Sequence, residues 1–120
     1  MKKVLVIDDS LTVRMYHKQI LKQAGFEVHE AENGMEALEK SNLQQFDLYI
    51  VDINMPILDG YSFVKRLRDG EAHTSPVIMV STESEVKDKE QAFESGANLY
   101  LIKPVRPQDL TVNAKMLTGS

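Results

Sequence analysis

Four short apolar runs, Val4-Leu5-Val6-Ile7, Leu48-Tyr49-Ile50-Val51, Val77-Ile78-Met79-Val80 and Leu99-Tyr100-Leu101-Ile102, constrain this chain more than any other feature. Each is rich in β-branched or aromatic residues and bounded by polar or turn residues, so each reads as a strand. None alternates apolar with polar. A strand that is apolar at every position is covered on both faces, the condition of parallel strands in α/β proteins. Glu27 to Ala31 is a weaker fifth candidate. Between the runs lie helical patterns. Val13, Tyr16, Ile20, Leu21 and Ala24 recur at helical spacing with Gly25 behind them as a C-terminal cap, and similar stretches cover 35–42, 61–69 and 86–95, the last closed by Gly96. A final helix over about 108–117 is expected to be short or frayed, because Thr111, Val112 and Asn113 are poor helix formers.

Strand and helix therefore alternate five times, which predicts right-handed crossovers and an open, doubly wound parallel sheet with helices on both faces. A chain of 120 residues holds one domain at roughly 100 to 200 residues per domain, so a single unit over 1–120 is expected. Its 42% hydrophobic and 27% charged residues are those of an ordinary globular protein. The absence of cysteine excludes disulfides, thiolate zinc sites, iron–sulfur clusters and cysteine nucleophiles, and it suits a reducing cytoplasm. The net charge is −4, and no Lys/Arg stripe interrupts it. That balance argues against nucleic acid and favours proteins or small cations as partners. The apolar run behind Met1-Lys2-Lys3 ends at Asp8, too short for a secretory core, and no membrane insertion is expected.

In sheets of this kind ligands bind beyond the carboxyl ends of the strands. Here those ends are polar: Asp8-Asp9 after the first run, Asp52 with Asn54 beyond it after the third strand, Ser81-Thr82 after the fourth and Lys103-Pro104 after the fifth. Any one of these residues could be an ordinary cap or turn former. Together they ask for more. Carboxylates on strands about 4.8 Å apart would repel by roughly 4 kcal/mol per close pair at an effective dielectric of 20, so a counter-charge is needed. Lys103 can supply one and a divalent cation another. With oxygen ligands only, Mg²⁺ or Mn²⁺ fits and zinc does not. A carboxylate beside Mg²⁺, a lysine and a hydroxyl suits aspartyl-phosphate chemistry, with Asp52, Lys103 and Ser81 as the candidates.

The chain resembles the receiver domains of two-component response regulators, and among them the single-domain chemotaxis type. The matching residues are Asp8-Asp9-Ser10, Asp52 within Val51-Asp52-Ile53-Asn54-Met55-Pro56 with Asp59-Gly60 behind it, Ser81-Thr82-Glu83-Ser84, Gly96-Ala97 and Lys103-Pro104. The resemblance spans essentially the whole chain. It implies a flavodoxin-like five-stranded sheet of order 2-1-3-4-5, an order for which this family is a standard example. It also implies a phosphorylation switch. Asp52 would take a phosphoryl group from a phosphohistidine of a sensor kinase. The side chains of Asp9 and Asp52 and the Asn54 backbone carbonyl would bind Mg²⁺, with Asp8 joining through water. Lys103 would pair with the phosphoryl group, and Ser81 would be drawn towards it. Tyr100 matches the switch aromatic that turns inward and reshapes the face made by the fourth helix, fifth strand and fifth helix. A downstream protein, in flagellar or other motility machinery, would read that face. The chain would be a cytoplasmic monomer, without a separate turnover substrate of its own.

Four positions depart from or tune the pattern. Thr82 stands where many members carry a small residue, Val105 where an aromatic is common, and Asn54 and Glu83 line the approach to the phosphoryl group and would set its lifetime with Thr82. The Lys103-Pro104 bond is expected to be cis, the habit of the family. His17, His29 and His73 fall on helix or loop positions and are expected at the surface or core edge, away from the acidic cluster. Other chemistries fit less well. A Mg²⁺-dependent phosphohydrolase would need an acid where Asn54 stands, and Asp8-Asp9 would repel the phosphate of a flavodoxin-type cofactor. A receiver that docks without phosphorylation is the remaining alternative.

Overall fold

The computed structural model describes residues 1–70 and 74–120. Strands and helices alternate: β1 Lys3–Ile7, α1 Leu11–Gln23, β2 Glu27–Ala31, α2 Gly34–Leu43, β3 Leu48–Asp52, α3 Gly60–Asp69, β4 Val77–Ser81, α4 Val86–Ser95, β5 Leu99–Ile102 and α5 Pro107–Thr118. The strands form one parallel sheet in the order β2-β1-β3-β4-β5. This is the flavodoxin-like arrangement expected from the sequence.

The uninterrupted apolar runs divide between two cores. Leu5, Ile7, Tyr49, Val51, Val77 and Met79 point to one face, where they meet Ala37 of α2, Phe63, Val64 and Leu67 of α3 and Ala92 of α4. Their alternate neighbours Val4, Val6, Leu48, Ile50, Ile78 and Val80 point to the other, against Ile20 and Leu21 of α1 and Leu110 and Ala114 of α5. Every residue of β3 and β4 is buried. The last of the four apolar runs, Leu99-Tyr100-Leu101-Ile102, departs from expectation. β5 is an edge strand of half-buried residues, with Ile102 exposed, because it has a sheet neighbour on one side only. An apolar run does not distinguish an edge from a centre.

The last helix also departs from expectation. α5 is a full 12 residues, with Pro107 in its first turn and Gly119 in the left-handed conformation as C-cap. Leu110 and Ala114 are fully buried against the α1 side. Burying a leucine contributes about 1.5–3 kcal/mol, several times the propensity deficit of a Thr or Asn. Asn113 and Thr118 further donate to the carbonyls of Asp109 and Ala114 one turn earlier.

Three helices start where a side chain accepts a backbone N–H: Ser10 from Val13, Asn33 from Glu36 and Asp59 from Ser62. Two of these caps, Ser10 and Asp59, follow strands that carry the acidic residues. Behind Asp59, Gly60 lies so close to the end of β3 that a Cβ there would stand 2.4 Å from the Asp52 carbonyl oxygen. Only glycine lets α3 begin at that point.

Candidate phosphoacceptor site

The parallel register brings the strand ends to one edge. Asp52, the last residue of β3, pairs with Val80, and Ser81, the last of β4, pairs with Ile102, one residue before Lys103. Asp8 and Asp9 follow β1, the other neighbour of β3. Asp8 and Asp52 are almost fully buried, whereas Asp9 is exposed. One oxygen from each of the three carboxylates lies within 4.8 Å of the others. The Lys103 ammonium donates to Asp8 Oδ2 at 2.7 Å and to Asp52 Oδ1 at 3.0 Å. Asp8 Oδ1 accepts from the Ser10 N–H at 2.9 Å, and the Asp8 carbonyl accepts from the Arg14 guanidinium at 2.7 Å. The Lys103-Pro104 bond is cis, and the Lys103 N–H donates to the Ser81 carbonyl.

Burial, and then the charge of Asp8, push the Asp52 carboxyl up to about 6, with Lys103 pulling it back. At neutral pH Asp52 is therefore an anion held in a pocket that disfavours one. Burial also works against the Lys103 charge, but its hydrogen bonds to Asp8 and Asp52 outweigh that and raise its pKa above the ordinary value. The ammonium is thus a fixed cation. The site keeps three carboxylates within reach of one ion and one permanent positive charge beside two of them. An oxygen-only donor set with this concentration of negative charge fits Mg²⁺.

Ser81 and Tyr100 are joined through the backbone of one residue, Glu83. The Ser81 hydroxyl, fully buried, accepts from the Glu83 N–H at 3.0 Å, and the Tyr100 hydroxyl donates to the Glu83 carbonyl at 2.8 Å. Tyr100 is half-buried against the α2-α3-α4 core. Asn54, Thr82 and Glu83 are exposed around this edge.

Several functional neighbours escaped the sequence reading. Of the histidines, His73 lies outside the described residues. His29 is on β2 rather than on a helix or loop, half-buried and 2.7 Å from Glu27. His17 is the clear correction. It is neither at the surface nor apart from the site: only 1% exposed, it lines a cavity of about 590 Å³ with Thr12, Val13, Tyr16, Thr82 and the Lys103–Val105 segment. Its spacing from Val13, Ile20 and Leu21 already puts it on the apolar face of α1. Burial lowers its pKa to about 4, Asp8 opposing and Lys103 adding to the shift, and its Nδ1 has no hydrogen-bond partner among the described residues. Val105 is buried in the α1-α5 core, and its carbonyl accepts from the Tyr16 hydroxyl at 2.9 Å. A second phenol, Tyr61 of α3, donates to the Asp88 carbonyl in the first turn of α4, a helix whose Glu85 N-cap makes no side-chain capping bond and pairs instead with Lys87.

Comparisons with known proteins agree with this geometry. A family model described as the response regulator receiver domain matches residues 4–115. The transcriptional regulatory protein ResD of Bacillus subtilis is 33% identical over 115 residues, 96% of this chain but 47% of ResD; the chain thus spans about half the length of the curated relatives it matches. The solved chemotaxis protein CheY4 of Vibrio cholerae superposes with a TM-score of 0.92 at 36% identity, covering 98% of each chain. The receiver domain of a sensor histidine kinase from Pseudomonas aeruginosa, solved with magnesium coordinated in its active-site cleft, superposes with a TM-score of 0.92 at 26% identity over 99% of this chain and 98% of that one.

Proposed function

The chain belongs to the response regulator receiver domain family, the phosphorylation switches of two-component systems, and on that premise we propose that Asp52 is its phosphoacceptor. The observation that carries this reading is the Lys103 ammonium shared between Asp8 and Asp52. Attack by an Asp52 oxygen on the phosphorus of a kinase phosphohistidine forms the P–O bond, breaks the P–N bond and releases the imidazole, which takes up a proton. Lys103, already a permanent cation, then pairs with the transferred group. Asp9, Asp52 and the Asn54 carbonyl would hold Mg²⁺, or Mn²⁺ in its place, with Asp8 joining through water, and the ion would supply positive charge to the phosphoryl oxygens.

A Ser81 hydroxyl that is drawn towards the phosphoryl group and donates to it moves an oxygen that also accepts from the Glu83 N–H, and the carbonyl of the same residue holds Tyr100. Phosphorylation is therefore read out through Glu83, and Tyr100 turns inward as the backbone of that residue moves. The output face is α4, β5 and α5, where Val86, Phe93, Ile102 and Val112 leave apolar surface exposed. Thr82, Asn54 and Glu83 set how fast donor and water reach the phosphoryl group. The chain acts as a cytoplasmic, monomeric switch with no turnover substrate. It signals to a protein target, and its full-length likeness to a chemotaxis protein makes motility machinery the target to test first. Among the described residues no helix is long and apolar enough to cross a membrane.

The test is intact-mass analysis after incubation with acetyl phosphate, with and without Mg²⁺, on the wild type and Asp52→Asn. One added phosphoryl group that needs both Mg²⁺ and Asp52 is expected. A wild-type chain that takes up none, or an Asp52→Asn chain that is labelled as fully, would overturn the assignment.

A further inference from the structure

Among the described residues, Ile57 is the one non-glycine with a positive φ, 71°. It is the centre of a three-residue turn closed by the Leu58 N–H donating to the Pro56 carbonyl at 2.8 Å, a rare and strained turn when φ is positive. A β-branched side chain is a poor occupant of that region, because its Cβ substituents crowd the backbone. Glycine or asparagine would make the same turn with less strain. The strain is not relieved by shifting the turn along the chain. Leu58 is buried under α2, with its carbonyl 2.8 Å from where a Gly34 Cβ would stand, while Asp59 caps α3 and Gly60 abuts Asp52.

Nor does burial offset it: Ile57 is 77% exposed. A costly backbone conformation holding an apolar side chain out in solvent adds nothing to folding, and strain of this sort collects at functional sites. The location says which. Ile57 is three residues from Asn54, hence within about 11 Å of it even along an extended chain, and its loop leaves the strand that ends in Asp52. Beside it Pro56 is exposed. Leu11, 59% exposed, opens α1 just after the loop that follows β1, the neighbouring strand. The pocket floor is charged, but these points of its rim are apolar.

A small phosphodonor needs no rim to reach Asp52. A protein that brings a phosphohistidine to Asp52 must lay the surface around that histidine on the rim, and a few apolar contacts at the centre of such an interface carry most of its energy. We infer that Ile57 is an anchor for the phosphohistidine-bearing partner, seated in an apolar recess beside the partner's histidine, with Leu11 as a second contact. This rests on the reading of Asp52 as phosphoacceptor.

The test compares wild type with Ile57→Gly, Ile57→Asn and Ile57→Leu. Each is labelled with acetyl phosphate and, separately, by prephosphorylated catalytic fragments of sensor histidine kinases, using from a panel the fragment that labels wild type fastest. Ile57→Gly and Ile57→Asn should melt about 3–6 °C higher as the strain is relieved. They should take phosphate from acetyl phosphate at the wild-type rate, yet accept it from the kinase at least about fivefold more slowly. Ile57→Leu, which keeps an apolar side chain without the β-branch, should accept it from the kinase as wild type does. Unchanged transfer from the kinase to Ile57→Gly and Ile57→Asn would overturn the inference, as would a wild type that only small donors label. Failure of acetyl phosphate to label any of the four proteins would instead overturn the reading of Asp52.

Discussion

Lys103 separates two buried titratable groups that the fold treats in opposite ways. On one side is Asp52, pushed up to about 6; on the other, across the cavity that Lys103 helps to line, is His17, pushed down to about 4. Burial is the leading cause of both shifts, and both favour the neutral form. Each exceeds two pKa units, worth roughly 3 kcal/mol. Asp52, however, has the ammonium at 3.0 Å and stays ionised at neutral pH, whereas His17 has no partner for Nδ1 among the described residues and stays neutral. The counter-charge is what keeps a buried titratable group ionised.

The two shifts pull the pH dependence of stability in opposite directions. The folded state binds the Asp52 proton more tightly than the unfolded chain, so this contribution is full at low pH and is lost as pH rises through about 6. The unfolded chain binds the His17 proton more tightly, so that contribution is full above 6.5 and is lost as pH falls through about 4. In metal-free wild type the two should nearly cancel between pH 4.5 and 6.5. That window also stays above the range where Glu27, held low by its bond to His29, and Glu30, held low by Lys18 and Arg14, take up protons.

Removing the cation should give the largest effect. Lys103→Met leaves Asp8 and Asp52 buried without a partner and should cost about 3–5 kcal/mol in urea unfolding at pH 8, shrinking at pH 5 where Asp52 is protonated. An equal cost at both pH values would mean that Asp52 is not the group Lys103 compensates. Next is Asp52→Asn. It should raise metal-free stability at pH 8 by roughly 3 kcal/mol and leave His17 alone to shape the profile, which should then climb from pH 4.5 to 6.5. Mg²⁺ at a hundredfold excess over its dissociation constant should stabilise wild type by about 2.7 kcal/mol and the Asn variant by less. A Mg²⁺ effect of the same size in both would place the ion elsewhere. His17→Leu should do the reverse: stability at pH 5 rises by about 2 kcal/mol, and the profile falls as pH increases towards 6.

The same contrast explains what was legible in the sequence. Asp8, Asp9, Asp52, Ser81 and Lys103 each sit at the end of an apolar run, so a local pattern places them on one sheet edge before any tertiary contact is known. The burial of His17 was written in its spacing on α1, but a lone histidine carries no local mark of the Lys103–Val105 segment, 86 residues and more away in sequence, that closes over it. α5 was underrated for a related reason: the propensities of Thr111, Val112 and Asn113 are local, while the burial of Leu110 and Ala114 that outweighs them is supplied by the sheet. The exposed side of β5 is likewise a property of strand order and not of its four residues.

The smallest effect expected is also the most selective. Tyr16 closes the His17 side through one hydrogen bond, its hydroxyl donating to the Val105 carbonyl, and Tyr16→Phe removes that bond while keeping the ring. A single bond of this kind is worth about 1 kcal/mol. Its loss should show as faster amide exchange over residues 103–107 and as a rise of the His17 pKa from about 4 as water gains access to the ring, followed by NMR. Asp52 is held from the other side, by Lys103 Nζ, so its labelling by acetyl phosphate should be unchanged. If labelling falls together with the His17 shift, the two sides of Lys103 are energetically coupled and a double mutant with Asp52→Asn will be non-additive; if only the imidazole responds, the cavity beside the site can vary without touching the chemistry.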